Sequence, residues 1–365
     1  MPRTKAGASA ARVRFAAGSG PARGGIRWAV AGLVLCVPLL SVVALAVGSV
    51  AIPAPTVVEI LVHRITGLGD PDGWTLVQDG IVWDLRLPRV LLALLVGAAL
   101  SVVGVVTQAL VRNPLADPYL LGTSSGAALG AVASMVLGVG VFGGISAGFA
   151  GFAGALAALL VIYAFVTLTG EFSPTRLLLA GVVVGAGLSG ITNYLVFQAE
   201  DPGTTNSALF WLLGSLAGAS WDQLGLPALG LVTGFAYLMS RARQLNAILL
   251  GDETSASVGV DPQRLRVTLF VVAALLTGLA VALSGAIGFV GLIVPHIARL
   301  LVGNDHRRLL PMAALLGGLF LLTVDIACRT VMSPQELPVG VATSVIGAPL
   351  FLYLMSRREV RLGGA

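Results

Sequence analysis

Gly122-Thr123-Ser124-Ser125-Gly126 fits G-x-S-x-G, the pattern of a hydrolase nucleophile elbow whose central serine attacks an acyl carbon. Such a serine needs a histidine within reach to take its proton. Of the three histidines, His63, His296 and His306, only His296 lies in a long apolar run. The elbow also requires a strand that turns sharply into a helix. Instead, the motif follows Asn113-Pro114 and Asp117-Pro118, residue pairs that make turns and open helices. The stretch reads as a turn and the start of the third helix, with Asp117-Pro118 at its head. An intramembrane serine protease is the alternative.

Other apparent chemistry dissolves in the same way. Gly185 to Gly190 fits G-x-G-x-x-G, but a dinucleotide fingerprint needs a strand before it, and this one sits inside an apolar helix. It reads as helix packing. A P-loop needs a lysine against the phosphates, and the chain's single lysine, Lys5, lies in a basic N-terminal tail. If ATP drives this protein, another subunit binds the ATP. The histidines lack metal-site spacing, so no metal site is expected. His296, after Pro295, reads as a hydrogen-bonded interior residue, with a role in a transport pathway as the alternative. Asp325 and Arg329 stand four apart on one helix face and can neutralise each other, a structural pair or, alternatively, a proton relay. Cys36 and Cys328 read as buried small hydrophobes.

These residues must be held by membrane helices. Of the 365 residues, 56% are hydrophobic and 11% charged, against about 25% charged in soluble domains. Mean hydropathy is +0.94. Charge-poor runs long enough to cross a bilayer fall near 28–50, 90–111, 119–138, 147–168, 177–198, 223–240, 267–286, 288–303, 309–331 and 338–356. The glycines of 138–148 separate the third and fourth runs, and Gly285, Gly288 and Gly291 break the long run from Val267. This predicts an all-α integral membrane protein of about ten transmembrane helices. Residues 1–27 read as a disordered basic tail, with a cleaved signal peptide as the rival reading. Residues 28–356 form the membrane domain and 357–365 a C-terminal tail. Within the membrane domain, 51–89 is an outer loop with an amphipathic piece, 203–221 an outer or re-entrant helix, and 241–266 the longest inner loop. With both termini in the cytoplasm, 18 of the 22 Lys and Arg fall on the inner side. The exceptions are Arg64, Arg86, Arg89 and Arg329. The net charge of +5 thus reports membrane orientation, and nucleic acid is not an expected partner.

"LRLPRVLLALLVGAALSVVGVVTQALVRNPLADPYLLGTSSGAALGA" (85–131) resembles the signature of the FecCD-type permeases, membrane subunits of ABC importers for iron–siderophores, haem and vitamin B12. "RLLLAGVVVGAG" (176–187), "FWLLGSLAGASW" (210–221), "LNAILLGDETSASVGV" (245–260), "SGAIGFVGLIVPHIARLLVGNDHRRLLP" (284–311) and "ELPVGVATSVIGAPLFLYLM" (336–355) follow in family order. The resemblance implies a vitamin B12 importer permease-like fold in a bacterial cytoplasmic membrane. It implies a homo- or heterodimer with the pathway at its interface, two ATP-binding subunits that carry ATP and Mg, and an extracytoplasmic substrate-binding protein. No cofactor is implied in this chain, nor any enzymatic activity. Arg86, Arg89 and Arg329 match arginines that dock the binding protein, and are expected to be exposed. Gly251, Asp252, Glu253, Ala256 and Gly259 match the element that couples to the ATPase, loosely, since Thr254 and Ser255 replace two alanines. Asn113, Leu115 and Thr175 match the cytoplasmic gate. An iron–siderophore is the favoured cargo. An ion-coupled secondary transporter is the other alternative, and it needs carboxylates at mid-membrane.

Overall fold

A computed structural model of the chain describes residues 23–138, 146–168, 173–333 and 335–357. The helices are α1 (Arg23–Ala46), α2 (Ala54–Thr66), α3 (Leu76–Gly80), α4 (Leu87–Val111), α5 (Thr123–Val136), α6 (Ala147–Leu168), α7 (Pro174–Phe197) and α8 (Pro202–Leu212). They continue with α9 (Trp221–Ser240), α10 (Ala242–Ile248), α11 (Asp252–Ser257), α12 (Pro262–Ser284), α13 (Val290–Val302), α14 (His306–Thr330) and α15 (Val339–Arg357). Seven helical stretches are long and apolar enough to cross a membrane, and three shorter apolar helices, α5, α13 and most of α15, make up the ten.

Three expected boundaries move. The second span is a continuous stretch from Leu76 to Val111, because a π-helical turn over Ile81–Arg86 joins α3 to α4. Its charged first half reads as loop in the sequence, yet Asp79, Arg86 and Arg89 find partners within the protein, and Asp84 is exposed. At the third span, Asp117 caps a 3-10 turn, Pro118–Leu121, and the α-helix starts only at Thr123. Helix α1 begins at Arg23, inside the stretch read as tail. The glycine turn at 139–145 lies outside the described residues. The 241–266 segment contains α10 and α11, and the 203–221 segment is helical over α8 and at Trp221, where α9 begins. Cys328 is buried, whereas Cys36 is exposed on α1.

Helix α4 is apolar on every side and occupies the centre, as such a helix must. Lipid is as apolar as leucine, so close packing and interhelical hydrogen bonds hold membrane helices together. A Cβ on Gly97 would stand 2.2 Å from Gly317 O of α14, and one on Gly104 would stand 2.0 Å from Gly291 O of α13. Only glycine permits these backbone contacts. Beside them, Ser101 Oγ donates to Ala313 O (2.7 Å) and Gln108 Nε2 to Gly291 O (3.1 Å).

Helices α5 and α13, about 21 and 20 Å long at 1.5 Å per residue, are too short to span alone. Each is preceded by irregular backbone, which membrane depth tolerates only when protein covers it. These two irregular segments cover each other. Tyr119 Oη accepts from Ile287 N (2.6 Å), and the Pro118 ring sits where a Cβ on Gly291 would fall. The expected break at Gly285 is present, with φ +63, followed by Phe289 at φ +67.

Candidate functional site: charged clusters at two ends

Helix α4 carries an arginine at each end. Its 25 residues place Arg89 and Arg112 about 35 Å apart.

At the first end, Arg89 Nε donates to Asp325 Oδ1 of α14 (2.9 Å), while its Nη1 donates to Glu336 Oε2 (2.8 Å). Arg329, one turn beyond Asp325, brings Nε to 3.0 Å from Asp325 Oδ2, outside hydrogen-bond geometry, and its buried Nη2 has no acceptor. Arg86 turns toward the end of α1, donating to Leu45 O (2.6 Å) and Val50 O (2.5 Å). The three arginines and Glu336 border a cleft of about 410 Å³ with Gly48, Val50 and Ala217. Exposure was the expectation for Arg86, Arg89 and Arg329; they are instead 7%, 7% and 6% exposed. The physical reason is that carboxylates and free carbonyls beside them, Asp325, Glu336, Leu45 O and Val50 O, draw the guanidinium groups inward. Asp325 and Arg329 form an ion pair, as their spacing suggested, and Arg89 is the third member that spacing could not reveal.

At the other end, Arg112 caps α4 in the left-handed conformation, φ 53. Its Nε donates to Ile248 O (2.9 Å), the last residue of α10, and its Nη2 pairs with Asp252 Oδ1, the first residue of α11. Arg266 Nη2 reaches the same oxygen at 2.5 Å. Partial burial opposes charge on Asp252, but hydrogen bonds from Arg266 and Arg112, with their positive charges, outweigh it and hold the carboxyl below its ordinary range. Gly251 and Gly259 bracket α11 at φ +107 and +80, conformations that glycine adopts without strain. Among the residues expected to couple, Asp252, Glu253 and Ala256 lie on the exposed helix between them. Asn113 and Leu115 follow Arg112 directly in a turn closed by Leu115 N donating to Asn113 Oδ1 (2.9 Å). Both are exposed. Thr175, also exposed, lies on a separate element in the first turn of α7, which Ser173 caps and Pro174 opens.

Between the ends, the opening motif is packing. Ser124 is buried in the first turn of α5, and a Cβ on Gly126 would stand 2.4 Å from Gly154 O of α6. Gly185 packs near Ser125, but Gly187 and Gly190 face open space on α7. Among the described residues no group of His, Cys, Asp and Glu gathers as a metal site. The partners that sequence reasoning missed, Glu336 for Arg89 and Arg112 for Asp252, lie 247 and 140 residues away in the chain.

The model of the FecCD transport family matches residues 35–357. The cobalamin import system permease protein BtuC of Halobacterium salinarum is 46% identical over 281 residues, 77% of this chain and 74% of that protein. The hemin transport system permease protein HmuU of Yersinia pestis is 42% identical over 80% of this chain and 89% of its own length. A solved ABC transporter assigned to the metal-chelate type, in an inward-facing conformation, superposes with TM-score 0.79 at 30% identity, covering 91% of this chain and all of that one. This multi-pass protein of the cytoplasmic membrane therefore belongs to the FecCD transport family, as a permease of the ABC-importer kind.

Proposed function

We propose that the chain is half of a dimeric permease through which an ATP-driven importer moves a metal chelate inward by alternating access. The Arg112 end faces the cytoplasm and the Arg89 end faces outward, in keeping with the arginine distribution. The observation that carries this reading is the pair α10–α11, set between the spans α9 and α12, with Leu250 and Val258 66% and 64% exposed. Apolar side chains held up to water on a short helical projection suit a soluble partner. That partner is the ATP-binding subunit, which carries ATP and Mg, and Gly251, Asp252, Glu253, Ala256 and Gly259 are its contact region.

At the outer end, a carboxylate from a substrate-binding protein would compete with Glu336 for Arg89 and supply the acceptor that Arg329 Nη2 lacks. Glu336 is the displaceable partner because its side chain is 39% exposed. The second permease subunit covers the face of α7 that presents Gly187, Gly190, Val183 and Tyr194. Asn113, Leu115 and Thr175 form the inner gate. The cargo class is cobalamin, haem or an iron–siderophore; relatives named for cobalamin and hemin support the first two ahead of the third. Asp325 serves an ion-coupled mechanism poorly, since two arginines already hold its charge.

Affinity purification from native membranes in mild detergent, with mass spectrometry, tests the assembly. A P-loop ATPase in near-equal amount is the expected result. Its absence even after cross-linking overturns the proposal, and Ser124→Ala is expected to leave transport intact.

A further inference from the structure

We propose that Arg112 is the strut through which movement of the α10–α11 unit reaches the gate turn; the proposal rests on the reading of α11 as the ATPase contact. Its role is positioning, since it touches neither cargo nor nucleotide.

Arg112 grips the unit at two points, the carbonyl that ends α10 and the carboxylate that begins α11. Those points move together because the unit is internally tied. Ser255, fully buried, donates from Oγ toward Gly251 O (2.7 Å) and Ala247 O (2.9 Å), joining the two short helices. Behind Arg112 the connection to the gate is covalent, with Asn113 next in the chain. Asn113 N also donates to Gln108 O (3.1 Å), which fastens the gate turn to the last turn of α4.

The backbone of Arg112 points the same way. A left-handed cap usually falls to glycine, and a residue with a Cβ is disfavoured there. At φ 53 this arginine bears that cost and in return aims its guanidinium at Ile248 and Asp252. Arg266 meets the same carboxylate from α12 but has no link to the gate turn, so it anchors Asp252 without transmitting.

The test uses the full transporter in proteoliposomes, with Leu115→Cys as reporter and a membrane-impermeant maleimide as probe. Labelling is compared without nucleotide and after trapping with ATP and vanadate. Peptide mass spectrometry separates position 115 from Cys36 and Cys328. With Arg112 present, trapping is expected to change the labelling rate. With Arg112→Gln, ATP hydrolysis persists while the labelling response shrinks about fivefold or more, the lower end of coupling factors between linked sites. Arg112→Lys keeps the charge but loses the donor to Ile248, and an intermediate response is expected. A full response in Arg112→Gln overturns the proposal; should that variant fail to assemble, a full response in Arg112→Lys does so. Failure of the ATPase to bind or hydrolyse even with Arg112 present instead overturns the reading of α11.

Discussion

The two ends of the molecule use one motif, an aspartate shared by two arginines, in opposite surroundings. Asp325 is fully buried between Arg89 and Arg329, whereas the side chain of Asp252 is 49% exposed between Arg112 and Arg266. A buried cluster is costly to break, because Arg329 loses its carboxylate and is left an uncompensated charge while Arg89 keeps only Glu336. A half-exposed one contributes less, because water reaches Asp252 and Arg112 even though Arg266 is buried. The first arrangement suits helices that must keep their register, and the second suits a contact that forms and yields during a cycle.

The largest expected effect is at the buried end. Asp325→Asn should destabilise the protein by about 3–5 kcal/mol, read as a collapse of the monodisperse peak on size exclusion and a lower thermal midpoint in detergent. Near-normal stability would break the comparison. Gly97→Val forces α4 from α14 in the interface that aligns Arg89 with Asp325 and should cost about 1–3 kcal/mol, seen in the same midpoint. A neutral result would mean that the ion cluster alone sets the register.

Asp117 sharpens the contrast, since its half-buried carboxyl caps a 3-10 turn by accepting from Tyr119 N (2.8 Å) and forms no ion pair among the described residues. Asp117→Ala removes that cap and should lower stability by about 1–2 kcal/mol, read in the same thermal midpoint. An unchanged midpoint would remove Asp117 from the account. The smallest effect belongs to Asp252→Asn, expected to shift stability by no more than about 1 kcal/mol. A loss as large as that of Asp325→Asn would erase the distinction between the ends.

The sequence disclosed the spans because lipid leaves a plain trace, charge-free runs of fixed length. It misplaced the start of the second span because Asp79, Asp84, Arg86 and Arg89 look like a wet loop. Their neutralising contacts, Arg64 to Asp79 and Arg89 to Asp325, are tertiary. Arg329 with Asp325 was legible, being four apart on a helix. Arg89 with Asp325 was not, with 236 residues between them. The element from Gly251 to Gly259 was legible only through the family resemblance, and the structure adds that its two glycines, at φ +107 and +80, bracket a short helix. The grip of Arg112 on that helix carried no local signal. Exposure of Arg86, Arg89 and Arg329 was inferred from their match to docking arginines, which says nothing about whether an acceptor lies beside them.

The glycine contacts of α4 have one more consequence, for measurement. Where Gly97 meets Gly317 and Gly104 meets Gly291, backbone rests on backbone and no rotamer can take up slack. Helices α4, α13 and α14 are then expected to move as a single body, a fixed ruler against which the proposed cycle would slide the other helices. Spin labels at the tips of α4 and α14 should keep one spacing through every nucleotide state, and distances from that frame to α7 would record the stroke.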